Sequence, residues 1–410
     1  MAATETGVWT LQEVRDKQLA SEWSYDGMIT GQLWAWGENE EGELGQNQKG
    51  NPGGLGGLSS PTQVGTDSTW SDIGGGGMEE YGGYAWKSDG TLWTWGSNEY
   101  GQLGLNENSI SFSSPVQMPG NWAQRTDEDQ FIDREVKISH RFWTLGIKTD
   151  GTLWSWGYSG SGNLGLNQGP GNNISSPVQV GSDTTWTSVM QGRDMGSFAI
   201  KTDGTLWAWG DNNGGRLGLN NANPVKYSSP TQLPGTTWRS TRQGTGQHPL
   251  ATKTDGTLWG WAGNSQGQLG QNSVGPVGGY SSPIQISGTT WRTVTTMDDS
   301  SAATKTDGTL WVWGRNEIGI LGLNQQGNSI SSPTQIPGTT WMNITAIANN
   351  TLIATKTDNT LWAWGSNTYG TLGRNFPNNS HRSSPVQIPG TNWIPSRIGE
   401  LGRGAWILRS

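Results

Sequence analysis

Residues Lys201-Thr202-Asp203-Gly204-Thr205-Leu206-Trp207-Ala208-Trp209 decide how this chain is read. An Asp-Gly pair between two apolar-rich stretches is the strongest short-range signal for a hairpin, and it predicts two strands joined by a two-residue turn. Counting outward from that turn pairs Thr202 with Thr205, Lys201 with Leu206, Ile200 with Trp207, Ala199 with Ala208 and Phe198 with Trp209. Cross-strand partners share a face, so one face is predicted to carry the two tryptophans and the other a small pair. A later copy has Asp358-Asn359 at the turn. Asparagine also tolerates positive φ, so that turn is expected to survive.

The stretch is one of seven. Leu-Trp-x-Trp-Gly has its first Trp at 34, 93, 154, 207, 259, 311 and 362, with spacings of 59, 61, 53, 52, 52 and 51 residues, and Ala262 replaces the glycine of the fifth copy. A Gly-x-Leu-Gly follows each time, with Leu44, Leu103, Leu164, Leu217, Leu269, Leu321 and Leu372. Next comes Ser-Ser-Pro-x-Gln, with Pro61, Pro115, Pro177, Pro230, Pro283, Pro333 and Pro385. A third tryptophan closes each unit, at 70, 122, 186, 238, 291, 341 and 393, so these columns hold 21 of the 26 tryptophans. Recurrence at a fixed period means supersecondary units that bury their faces against one another. A small column, Ala85, Gly146, Ala199, Ala251, Ala303, Ala354 and Ala405, is expected to receive the tryptophan face of the neighbouring sheet.

The two ends of the chain are complementary. The stretch from Trp393 through Ala405 to Ser410 begins a repeat and stops where the turn would stand, whereas Gly31-Gln32-Leu33-Trp34-Ala35-Trp36-Gly37 begins where that turn would have ended. Pairing the termini completes one sheet and abolishes a free edge. The expectation is an all-β, seven-bladed β-propeller over residues 31–410, closed by its N- and C-terminal strands, with residues 1–30 as an arm holding one short helix.

Composition narrows the function. The chain has 410 residues, no cysteine, and 25 Lys plus Arg against 33 Asp plus Glu, for a net charge of −8. Disulfide frameworks and thiolate metal sites are excluded. Sparse, scattered cations argue against nucleic acid as a partner. No apolar window reaches the ~20 residues that span a bilayer, and Met1 is not followed by a conventional signal peptide, so neither a membrane nor classical export is expected.

The run Leu-Trp-x-Trp-Gly-x-Asn-x-x-Gly-x-Leu-Gly, as in Leu92 to Gly104 and Leu361 to Gly373, resembles the repeat of the regulator of chromosome condensation family. That resemblance implies a seven-bladed propeller and admits exchange factors, inhibitors and scaffolds, so it leaves function open. With its uniform Trp pairs and acidic balance the chain is closer in style to bacterial and phage members. In the arm, Thr10 to Glu13 forms a capping box, and Gly7 to Trp23 looks like short segments of structural and tail proteins of marine bacteriophages.

Candidate sites divide into repeated and unrepeated residues. Strand tryptophans recurring in every copy read as core rather than as a sugar-stacking surface. The repeat asparagines Asn98, Asn316 and Asn367 read as turn-stabilising rather than cation-ligating. Six lysines, Lys87, Lys148, Lys201, Lys253, Lys305 and Lys356, precede the turns; covering the cross-strand leucines is favoured over an anion-binding ring. Glu38, Glu40, Glu41 and Glu43 read as a solvated loop. The three histidines fall in unrepeated stretches, and no catalytic motif or metal-ligand spacing is present, so no enzyme, cofactor or metal is expected.

Departures from the pattern carry the functional expectation, because loops not needed for packing commonly bind. One is the acidic insertion from Ala123 to Val136, with Asp127, Glu128, Asp129 and Phe131; another is the loop from Gln48 to Leu58; the third is the arm, with Trp9, Leu11 and Val14. The reading is a non-enzymatic binding or structural propeller, a bacteriophage virion component contacting capsid or tail subunits or a host surface glycan. The alternative is a soluble protein inhibitor or glycan-binding propeller.

Overall fold

The computed structural model describes residues 30–410 apart from 51–56, 77–81, 126–135, 170, 193–195, 222–225, 243–247, 276–278, 348–349 and 402–403. The arm before residue 30, with Trp9, Leu11 and Val14, and the tip of the insertion, with Asp127, Glu128, Asp129 and Phe131, lie outside the described residues.

Seven antiparallel sheets follow one another as blades. Blade 1 joins Trp393–Leu401 and Gly404–Arg409 to Gln32–Gly37 and Leu58–Gln63, with Gln32 opposite Arg409 and Gly37 opposite Gly404. The termini therefore close the ring, as the split repeat required. Blade 2 runs from Trp70–Ile73 to Phe112–Met118, blade 3 from Ile138–His140 to Ile174–Gln179, and blade 4 from Trp186–Gln191 to Lys226–Gln232. Blades 5, 6 and 7 run from Trp238–Arg242 to Tyr280–Ile286, from Trp291–Met297 to Gly327–Ile336 and from Trp341–Ile347 to Arg382–Ile388. Each first strand lies at the axis against its neighbours, and Gly75–Gly76 pairs in parallel with Ile138–His140 to join blades 2 and 3. Each outermost strand carries the repeat proline, which cannot donate to a further strand and so protects the edge.

The hairpin register differs by one residue from the sequence expectation. The Lys201 carbonyl accepts from Gly204 N at 2.9 Å and Lys201 N donates to Thr205 O at 3.0 Å, so the loop is Thr202-Asp203-Gly204. Ala199 then pairs with Trp207, Phe198 with Ala208 and Ser197 with Trp209. Three residues are used because Gly204 takes φ +75 while Asp203 Oδ1 accepts both the backbone N and the hydroxyl of Thr205, at 3.0 and 2.7 Å. Trp207 Nε1 donates to that hydroxyl at 2.9 Å, so the turn also fixes the first tryptophan. Asn359 keeps the equivalent turn with φ 63. The small column therefore sits on the tryptophan face, and Ile407 rather than Ala405 occupies its place in blade 1, opposite Trp34.

Packing still joins the tryptophan face of one blade to the opposite face of the blade before it. Trp238, Ala251 and Trp261 of blade 5 share a core with Phe198, Ile200, Leu206 and Ala208 of blade 4, and each of the seven buried clusters spans two adjacent blades.

Candidate interaction site

Two faces result from the strand order. One, the turn face, carries the Asp-Gly turns and the residues leading to each third tryptophan. The other, the loop face, carries the Gly-x-Leu-Gly loops and the turns between first and second strands.

Repeated residues of the loop face are used between blades. The second tryptophan of each blade donates Nε1 to a carbonyl in the preceding loop: Trp36 to Thr371, Trp95 to Glu43, Trp156 to Gln102, Trp209 to Asn163, Trp261 to Arg216, Trp313 to Gln268 and Trp364 to Ile320, all at 2.7–2.9 Å. Those acceptors precede the motif leucines. A Cβ on the first motif glycine, as at Gly101 or Gly267, would lie 2.5–2.6 Å from Ser175 or Ser331 Cα of the next blade. Asn98 Oδ1 accepts from Leu103 N at 3.0 Å and its Nδ2 donates to Glu107 O at 2.8 Å, with the same arrangement at Asn316 and Asn367, so these asparagines hold the loops.

On the turn face each lysine rests between two indoles. Nζ lies 3.5–4.5 Å from the first tryptophan ring and 4.5–5.5 Å from the third, from Lys87 through Lys356. Arg409 takes this place in blade 1, 5.3 Å from Trp34 and Trp393, and so completes a ring of seven that the sequence reading counted as six. The packing partner is tryptophan rather than leucine, because the one-residue register slip carries the lysine over the indoles. Indoles that already hold an ammonium, and that meet a second indole edge-on at 6.1–6.3 Å, offer little open face to a sugar.

The acidic loop of blade 1 is not wholly solvated. Glu40 is exposed and Glu41 half-buried, but Glu38 and Glu43 are each 1% exposed. Burial pushes the Glu43 carboxyl up to about 7. Burial also holds His140 and His248 down to about 3, so both imidazoles are neutral; they hydrogen-bond Thr144 and Ser301. Among the described residues no group of three or more His, Asp or Glu could hold a metal, and no helix is long and apolar enough to cross a membrane.

The acidic insertion arises at the axis. Its first flank places Arg125 Nη2 2.7 Å from Asp72 Oδ1 of blade 2, and Arg397 of blade 1 donates Nε to Ser71 O at 2.8 Å beside it. Its second flank places Val136 N on Ser188 Oγ of blade 4 at 3.1 Å.

A feature that sequence reasoning missed lies on the loop face. Tyr100 of blade 2 and Phe142 and Tyr158 of blade 3 meet edge to face, with centroids 5.3–6.4 Å apart, and all three are half-buried. Arg141 stands 5.5 Å from the Phe142 ring, and Ile110, 53% exposed, stands on the Tyr100 loop. These aromatics occupy positions that vary among repeats; Tyr100 corresponds to Glu41, Ser161, Gly214, Gln266 and Ile318, and to a second tyrosine, Tyr369, in blade 7. Only that variation could have signalled them, since the three come from separate loops.

A closed ring of seven four-stranded repeats, with the second indole of each stapled to the blade before it, defines a seven-bladed propeller. Four of its segments, residues 89–125, 203–242, 307–348 and 358–397, match the family model of the regulator of chromosome condensation (RCC1) repeat. The human E3 ubiquitin-protein ligase HERC2 is 28% identical over 240 residues, covering 57% of this chain and 5% of that protein. RUG3, a mitochondrial RCC1 domain-containing protein of Arabidopsis thaliana, is 26% identical over 72% of this chain and 64% of its own length. The ultraviolet-B receptor UVR8 of the same plant is 24% identical over 91% of this chain and 83% of its own. This chain thus spans only a small part of the ligase and about two thirds of RUG3. Among solved structures, Prp20p of Saccharomyces cerevisiae, described with its binding to Gsp1p and histones, superposes with a TM-score of 0.76 at 17% identity over 94% of this chain and 93% of its own. Human WBSCR16 does so with a TM-score of 0.75 at 20% identity, over 93% and 99%.

Proposed function

We propose that this chain is a non-enzymatic ring that binds another protein through the loop face of blades 1 to 3. The observation that carries the reading is the aromatic cluster of Tyr100, Phe142 and Tyr158. The repeated tryptophans, glycines and asparagines are consumed in joining blades, whereas these three rings stand at positions that vary among blades, are partly open and are drawn from two blades. Partly exposed aromatics of this kind have the composition of binding hot spots. Prp20p, a propeller of the same architecture, is described as binding Gsp1p and histones and in complex with Kap60, which supports protein binding as a use of such a ring. Exchanging Tyr100, Phe142 and Tyr158 together for serine is expected to release the partner carried by the native protein while the ring still melts cooperatively. Retention of the partner by the folded variant contradicts the reading.

The finer reading, a virion component held by its arm, rests on the resemblance of residues 7–23 to phage segments, and the human, plant and yeast proteins add nothing to it. Gly31 N bonds Trp70 O and Ser410 N bonds Asn392 O, so the chain enters and leaves blade 1 on the turn face, opposite the aromatic cluster. Density fractionation of the native source decides: co-sedimentation at fixed stoichiometry with a capsid or tail protein supports the virion, and a purely soluble protein removes it. In the soluble case the inhibitor alternative is the one that retains a partner protein; among the described residues the glycan alternative finds no open indole face.

A further inference from the structure

The second residue of Gly-x-Leu-Gly is Glu43, Gln102, Asn163, Arg216, Gln268, Ile320 or Thr371, from blade 1 to blade 7. In four blades its side-chain oxygen performs one task, accepting the backbone N–H two residues earlier. Glu41 N donates to Glu43 at 2.8 Å, Tyr100 N to Gln102 at 2.8 Å, Ser161 N to Asn163 at 3.2 Å and Gln266 N to Gln268 at 2.8 Å. Three blades use a neutral amide. Blade 1 uses a carboxyl group for the same bond.

That carboxyl lies at a joint between blades. The Glu43 carbonyl accepts the Trp95 indole of blade 2 at 2.9 Å, and the loop continues to Asn47, whose N donates to Ser113 O of blade 2 at 2.7 Å. A second carboxyl oxygen of Glu43 takes Glu40 N at 3.2 Å. Two N–H donors favour the charged form, yet full burial outweighs them, and Glu38, also 1% exposed, acts in the same direction as burial. Of the other charges on this loop, Glu41 is held by Ser111 Oγ of blade 2 at 2.8 Å and by Lys49 at 3.8 Å, and Glu40 is exposed. Blade 2 meets the loop with Trp95, Ser111 and Ser113, none of which carries charge.

We propose that Glu43 makes the joint between blades 1 and 2 proton-operated: protonated, it seals loop 38–47 against blade 2; ionised beside Glu38, it loosens the loop and the Trp95 staple. The joint sits at the ring-closing blade and positions Glu40 and Glu41 on the loop face, so proton uptake adjusts that face. The inference stands on burial and on comparison among blades, and it does not depend on which partner the ring binds.

The sign is set by a folded-state value raised from 4.5 to about 7. Stability from this group is full below 4.5 and is lost as pH rises through 7, on the order of a hundredfold in the folding equilibrium. Glu43→Gln keeps the hydrogen bond that Gln102 and Gln268 make and removes the titration. Denaturant midpoints of the full chain and of Glu43→Gln are expected to agree below pH 4.5, to separate progressively between pH 4.5 and 7, and to keep a constant gap above that, the variant being the more stable. Protection of the Gly45 and Asn47 amides, measured against the base-catalysed exchange of an unfolded chain at the same pH, is expected to fall over the same range in the natural chain alone. Parallel stability profiles from pH 4.5 to 8, or protection of these amides that does not change with pH, overturns the proposal. Should the variant misfold, a carbon-13 glutamate titration of the natural chain decides: a carboxyl midpoint near 7 upholds it, and midpoints confined near 4.5 overturn it.

Discussion

Trp36 Nε1 donates to the carbonyl oxygen of Thr371 at 2.9 Å, across 335 positions of sequence. This bond repeats what the other six blades do, but here it joins blade 1 to blade 7. Trp36 is fully buried, so Trp36→Phe leaves the Thr371 carbonyl without its donor and opens a small cavity. The expected loss is about 2–3 kcal/mol in denaturant unfolding. Trp209→Phe breaks the equivalent bond to Asn163 far from the termini, and the two losses are expected to add within about 0.5 kcal/mol.

Ala262 sits at φ 70, where six blades place glycine at φ 95–111. The residue forms a bulge against the outermost strand, and a left-handed conformation crowds the Cβ of alanine. Ala262→Gly is expected to stabilise the ring by about 1 kcal/mol despite the greater freedom it gives the unfolded chain. An unchanged or lowered denaturant midpoint would count against strain at this position.

Lys253 Nζ lies 4.5 Å from the Trp238 ring and 4.2 Å from Trp259. Lys253→Met retains the aliphatic stem and removes the charge, so the expected cost, about 1 kcal/mol, isolates the cation–π contribution. A neutral effect would show that the lysine column is held by its stem alone.

His140 and His248 are buried and neutral, with folded-state values lowered by burial from 6.5 to about 3. A lowered value in the folded state means stability that is present above about pH 6.5 and lost as pH falls toward 3. Urea midpoints are therefore expected to fall on acidification across that window, with a shallower slope in His140→Gln than in the natural chain. Equal slopes would mean that His140 takes up its proton without unfolding.

Blade number, ring closure and the split sheet were legible because period and termini complementarity are properties of the linear sequence. The hairpin register was not. Asp203-Gly204 announced a turn, but the residue count of the loop depends on Asp203 accepting two bonds from Thr205, and a one-residue change moves every partner to the other face. Glu38 and Glu43 were misread as solvated because four nearby carboxylates look like a surface run; burial followed from the next blade closing over them. Tyr100, Phe142 and Tyr158 escaped notice since nothing local in three loops shows that the propeller brings them together.

Binding through the loop face is tested most directly by photo-crosslinking from both faces of the ring. A photoreactive residue at position 100 or 158, compared with one at 203 or 255 on the turn face, is introduced into the protein in its native source. The account predicts one partner polypeptide captured from positions 100 and 158 and absent from 203 and 255. Capture from the turn face alone would contradict it.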